Sequence, residues 1–222
     1  MEDGRALISS IALGKGARLE IMNSAEGVGL DDLLSGLSTT HLSNLCSLTL
    51  MEYQSTPRAI GLSGPSGSFS LKGRFRNSGV PLAELPLLPL TKIREFRLTH
   101  RLLKAVHRNQ MFLPSCLSAI ETLAINSEIS VSFLLSALFS NPSSPPSLKT
   151  LAFLNCYIAD EFMEELAQYA SKRKETTSAR LYRVVIVDPD GVFPGIGFIR
   201  QLGERVPVVD VKVGKELPKD LT

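Results

Sequence analysis

The feature that most constrains this chain is an apolar triplet at offsets 0, 3 and 5 that returns along its length. It stands as Leu148, Leu151 and Phe153 in the stretch SLKTLAFLNCYIADEFMEELAQYA. It recurs as Leu45, Leu48, Leu50, then Ile93, Phe96, Leu98, then Ile120, Leu123, Ile125, then Leu181, Val184, Ile186, and last Val206, Val209, Val211. The first members lie 48, 27, 28, 33 and 25 residues apart. Weaker copies fall in SGSFSL, which keeps Phe69 and Leu71, and in GARLEI, which keeps Leu19 and Ile21. A short strand returning at this interval marks a solenoid, because one unit has a face that only its neighbours can bury.

Between the triplets the apolar period changes from 2 to 3.6, as a strand-then-helix unit requires. Leu30, Leu33, Leu34 and Leu37 predict one helix, with Asp31 and Asp32 in its first turn. Phe162, Leu166 and Tyr169 predict another, with Asp160 as its N-cap. Glu161, Glu164 and Glu165 come early in that helix and Lys172, Arg173 and Lys174 late, the order the helix dipole prefers, so the basic run reads as a solvated helix end. Weaker helical stretches cover 101–108, 129–140 and 195–205. The prolines of NPSSPPS at 141–147 predict a loop, and those of LAELPLLPL at 82–90 an extended segment.

Taken with its helix, the 148–158 unit resembles the leucine-rich repeat family: Leu148, Leu151, Phe153, Cys156 and Ile158 fit LxxLxLxxN/CxL at every position. The other units depart from the pattern at the Asn/Cys position, where they carry Tyr53, Arg101, Glu128 and Pro189. The likeness is nearest to the ribonuclease-inhibitor-like class and to the irregular repeats that follow F-box segments in many fungal proteins. It implies an α/β leucine-rich repeat solenoid, a curved parallel sheet inside and helices outside, of about six to eight irregular units. Residues 1–222 are expected as one domain, the first clear strand near 17–22 and the last near 206–213. An ordinary α/β sheet is the alternative.

Composition narrows the function. A formal charge of +2, with SKRKE at 171–175 as the densest basic run, is too small for nucleic acid or a membrane surface as partner. Cys46, Cys116 and Cys156 are too far apart for a zinc pair and odd in number for a disulfide framework, which favours a reducing compartment. Glu2 and Asp3 spoil a secretory n-region, and no apolar run reaches the ~20 residues that cross a bilayer. A cytoplasmic or nuclear, non-secreted protein is expected.

GLSGPSGS at 61–68 lacks the lysine of a phosphate loop and the closing glycine of a nucleophile elbow, and reads as a flexible surface loop. DPDG at 188–191 lacks the later ligands of a calcium loop and reads as a tight turn. His41, His100 and His107 make no metal pair. No catalytic residue, cofactor, metal or small-molecule substrate is therefore assigned.

Alternation along each strand puts the anchors in the core and offsets 2, 4 and 6 on the concave surface. That surface is polar early, with Thr49, Glu95 and Arg97, and becomes apolar at Ala124, Ala152, Leu154, Val185 and Val187, flanked by Arg183 and Asp210. Arg97, Ala124, Ala152, Leu154, Arg183, Val185, Val187 and Asp210 are the candidate contacts for a protein partner. An apolar strip on a solvated surface is a docking face. The competing expectation is a strip covered by a loop or by the tail GKELPKDLT, since VVIV at 184–187 is the continuous apolar run of a strand buried on both faces.

The function expected is a protein-binding module. The F-box likeness implies instead a substrate receptor of a ubiquitin ligase, whose F-box segment would need a longer chain; an enzyme comes third. ALISSIAL reads as a helix whose strand would precede Met1, with no polar cap before it, so an apolar N-terminal edge is expected, from a truncated chain or one that self-associates there.

Overall fold

The computed structural model describes residues 17–28, 47–51, 59–64, 67–75, 92–99, 118–126, 145–156, 158–176, 180–188 and 195–213. The expected helices at 30–37, 101–108 and 129–140, the segment 82–90, the DPDG turn beyond Asp188, the three histidines, Cys46, Cys116, ALISSIAL and the tail lie outside them. The chain divides into two compact units, the first Met1–Arg97 with Pro114–Ala119, the second Leu98–Leu113 with Ile120–Thr222.

The first unit contains β1 (Ala17–Val28), β2 (Ser47–Met51), β3 (Ala59–Gly64) and β4 (Gly67–Phe75), in the order β1-β4-β3-β2. The triplet in LCSLTL runs into β2, and of the two weaker copies GARLEI runs into β1 and Phe69 and Leu71 of SGSFSL lie in β4. Their pairing departs from a solenoid. β1 is parallel to β4, but β3 is antiparallel to both β2 and β4. Linker length explains this. Only Pro65 and Ser66 separate β3 from β4, and 52–58 separate β2 from β3, whereas a parallel crossover takes a dozen residues or more. GLSGPSGS, expected as a surface loop, instead supplies the facing ends of β3 and β4, where Ser63 pairs Ser68 and Gly64 pairs Gly67. The glycine and serine content suggested a loop; pairing with two neighbouring strands outweighs that weak local preference.

β5 (Glu95–Thr99) crosses the division between the units. Its anchors Ile93 and Phe96 are completely buried.

The second unit is α/β. It runs β6 (Thr122–Asn126), β7 (Thr150–Leu154), α1 (Asp160–Thr176), β8 (Arg183–Asp188), α2 (Ile196–Gly203) and β9 (Val208–Val213). β6, β7, β8 and β9 pair in that order, all parallel. The anchor spacing sets the register: Leu123, Leu151, Val184 and Val209 form one row across the sheet, and Ile125, Phe153, Ile186 and Val211 the next. The leading anchors Ile120, Leu148, Leu181 and Val206 are buried as well.

One backbone contact repeats at each strand entry. Lys149 and Thr150 both donate their amides to the Glu121 carbonyl, at 2.8 and 2.9 Å, and Tyr182 and Arg183 do the same to Lys149, at 2.7 and 3.0 Å. At β9 only Val208 donates, to Tyr182 at 3.1 Å, because the other position is Pro207 and has no N–H.

α1 covers the anchor face. Phe162, Met163, Leu166, Ala167, Tyr169 and Ala170 are buried, and the Phe162 ring meets Phe153 edge-on with centroids 5.1 Å apart. Such a ring pair adds about 1 kcal/mol to the area it buries. Ala159, not the expected Asp160, accepts the first helical bonds, from Phe162 and Met163. Asp160 is the first helical residue, and its carboxylate accepts the Gly195 amide at the head of α2, 3.1 Å away. At the other end of the pair Arg205 donates to the Ser171 hydroxyl at 3.1 Å. Among the described residues no helix is long and apolar enough to cross a membrane.

Candidate functional site

Because Phe153 touches α1, the residues alternating with it lie on the opposite face of the sheet. That face reads in three rows from β6 to β9: Thr122, Thr150, Arg183, Val208; Ala124, Ala152, Val185, Asp210; Asn126, Leu154, Val187, Lys212. Seven of the eight candidate contacts are therefore brought together here. Arg97 belongs to the first unit, where it pairs with Glu95 of its own strand.

The apolar members do not form a solvated strip. Ala124, Ala152, Leu154, Val185 and Val187 pack as one buried cluster, none more than 5% exposed. The expectation of an exposed docking strip is corrected: β7 and β8 are buried on both faces, the condition in which a parallel strand is apolar at consecutive positions, as in VVIV. Sequence alternation alone assigned Val185 to solvent, yet Val184 and Val185 are both at 0%.

Polar chemistry survives on the β8–β9 side. Arg183 reaches diagonally to Asp210, its Nε and Nη2 both meeting Oδ2, at 2.8 and 2.6 Å. The two side chains keep 22% and 31% of their surface exposed, so the pair is solvated and contributes at most about 1 kcal/mol to stability. Along the strand entries Lys149 pairs with Glu121 at 3.1 Å on the surface.

Beyond the strand ends the turn after β7 is tied to both neighbours. Asn155 takes a left-handed conformation, φ 54°, donates its amide to Val187 at 2.8 Å and its side-chain amide to the Asn126 oxygen at 3.1 Å. The buried Cys156 thiol lies 3.4 Å from the Leu154 carbonyl and 3.6 Å from that of Ile125. The residue at the Asn/Cys position thus supplies a weak donor to carbonyls at the ends of two strands.

Sequence reading missed Arg173. Lys172 and Lys174 are exposed as expected of a solvated helix end, but Arg173 is completely buried. Its Nη2 donates to the carbonyls of Pro145, Pro146 and Leu148 at 2.7, 3.2 and 3.0 Å, and its Nη1 to the Tyr169 hydroxyl at 3.4 Å. The signal was there: Phe162, Leu166, Tyr169 and Arg173 continue one helical face at i, i+4, i+7, i+11. Burial raises the Tyr169 phenol above its ordinary value, and Arg173 offsets part of that rise.

Among the described residues no group of acidic, histidine or cysteine side chains is arranged to hold a metal ion. The fold and site define an α/β unit with a parallel, in-register sheet and a charged pair on the face away from its helices. No protein-family model, curated protein or solved structure matches the chain.

Proposed function

We propose that this chain is a protein-interaction module of the leucine-rich repeat kind, which binds a protein partner on the sheet face opposite α1. The repeat reading is supported by the anchor rows in register across β6 to β9 and by the amide contacts to Glu121 and Lys149, which return with the sequence interval. The observation that carries the binding reading is the half-exposed Arg183–Asp210 pair, held on that face beside a buried apolar cluster. A charged pair on a packed sheet offers fixed donors and acceptors, and charge arrangement sets which partner fits. In this reading Ala124, Ala152, Leu154, Val185 and Val187 hold the surface rigid, and the charged residues make the contacts.

The test is a pull-down with purified chain, comparing wild type with Arg183→Glu and with Lys174→Glu on the outer surface of α1. A protein retained by wild type and by Lys174→Glu, and bound at least about ten-fold more weakly by Arg183→Glu, is the expected result. Partners recovered equally by all three would place binding away from this face.

A further inference from the structure

The sheet of the second unit ends on β9, and burial ends there too. β9 pairs with β8 and with no other described strand. Val209 and Val211 are only half-buried, while their row partners Val184 and Ile186 on β8 are sealed. α2, the helix beside β9, carries Ile196 at 86% exposure and half-buried Phe198 and Ile199. An edge strand left like this is a template for another strand.

Charge identifies the strand that fits. Asp210 and Lys212 lie two apart on one face of β9. Arg183 Nε and Nη2 both meet Asp210 Oδ2, and Lys212 is exposed. An acid and a base at this spacing are self-complementary about a two-fold axis through Val211. Antiparallel pairing centred there sets Asp210 of each copy opposite Lys212 of the other. Shifting the centre to Asp210 or to Lys212 sets like charges face to face, and so does a parallel in-register pairing.

We propose that β9 pairs antiparallel with β9 of a second copy of this chain, with Asp210 and Lys212 cross-paired and Val211 on the axis. The pairing extends the sheet across the dimer and keeps the helices of both copies on one side, where α2 meets its counterpart. It is an isologous contact, closed after two copies. It does not require any protein bound to the sheet face.

Sedimentation velocity on the full chain across the micromolar range tests it, with the variants Lys212→Asp and Asp210→Lys and circular dichroism melts to show that each folds. Wild type is expected as a dimer. Each variant puts like charges opposite one another at both cross-strand positions and should dimerise at least about ten-fold more weakly. The two variants mixed one to one should recover the dimer, because a chain positive at 210 and 212 then meets one negative at both. A monomeric wild type overturns the proposal. So does a dimer that Lys212→Asp leaves intact, or a mixture of the two folded variants that stays monomeric.

Discussion

Arg173 is sealed from solvent with its guanidinium 2.7 Å from the carbonyl oxygen of Pro145, so the end of α1 is bonded to the loop that leads into β7. Prolines 145 and 146 have no N–H to offer the loop, but their carbonyls are strong acceptors, and the one side chain serves both and Leu148. Arg173→Met keeps much of the stem packing and removes every donor. Urea unfolding should show a loss of about 3 kcal/mol, since bonds to a charged donor go and buried carbonyls are stranded. The neighbouring Lys172→Met should stay within about 0.5 kcal/mol. Equal effects at the two positions would contradict the assignment.

Val184 and Val185 face opposite sides of β8 and both are buried. Val184→Asp and Val185→Asp should therefore each cost more than about 4 kcal/mol, because either places an unpaired carboxylate in an apolar layer. Thermal melts decide this. A fold that tolerates Val185→Asp while losing Val184→Asp would restore the solvated strip that alternation predicted.

The Tyr169 phenol titrates above its ordinary value of 10.0 because burial disfavours the phenolate, partly opposed by Arg173. Below that value both folded and unfolded chains hold the proton, and the contribution to stability is fully present. As pH rises past it the unfolded chain ionises first, so stability falls until the folded phenol ionises too, at no more than about 1.4 kcal/mol per pH unit. Denaturant midpoints between neutral pH and the alkaline range should drop less steeply for Tyr169→Phe than for wild type. Parallel curves would refute the linkage.

Asn155 holds φ at 54°, where a side chain that cannot bond locally is strained. Asn155→Gly should cost under about 1 kcal/mol, losing the bond to Asn126 but no backbone comfort, and Asn155→Val about 2 kcal/mol or more. Stability measured by chemical denaturation in the opposite order would mean the turn is free to rearrange.

Much of the second unit was legible because its information is local. The 0, 3, 5 spacing fixes which side chains enter the core, and equal spacing in successive units fixes the register, as the rows from Leu123 to Val209 show. The apolar period of Phe162, Leu166 and Tyr169 likewise gave α1 and its buried face. The first unit was less legible. The same triplets yield strands there, but strand direction depends on the length of the connections, and β3 carries no triplet to announce it.

Alternation along one strand also cannot tell whether its second face meets water or other chain atoms. Sequence by itself thus determined the strands of the second unit, their order in the chain, the helix that covers one face and the residues that share the other. Only the tertiary structure decided that Val185 and its neighbours are buried, that Arg173 turns inward from a basic run, and that Arg183 finds Asp210 across 27 residues of chain. The physical reason is range: periodicity is written in neighbours a few residues apart, whereas burial and pairing are set by segments that meet only once the chain has folded.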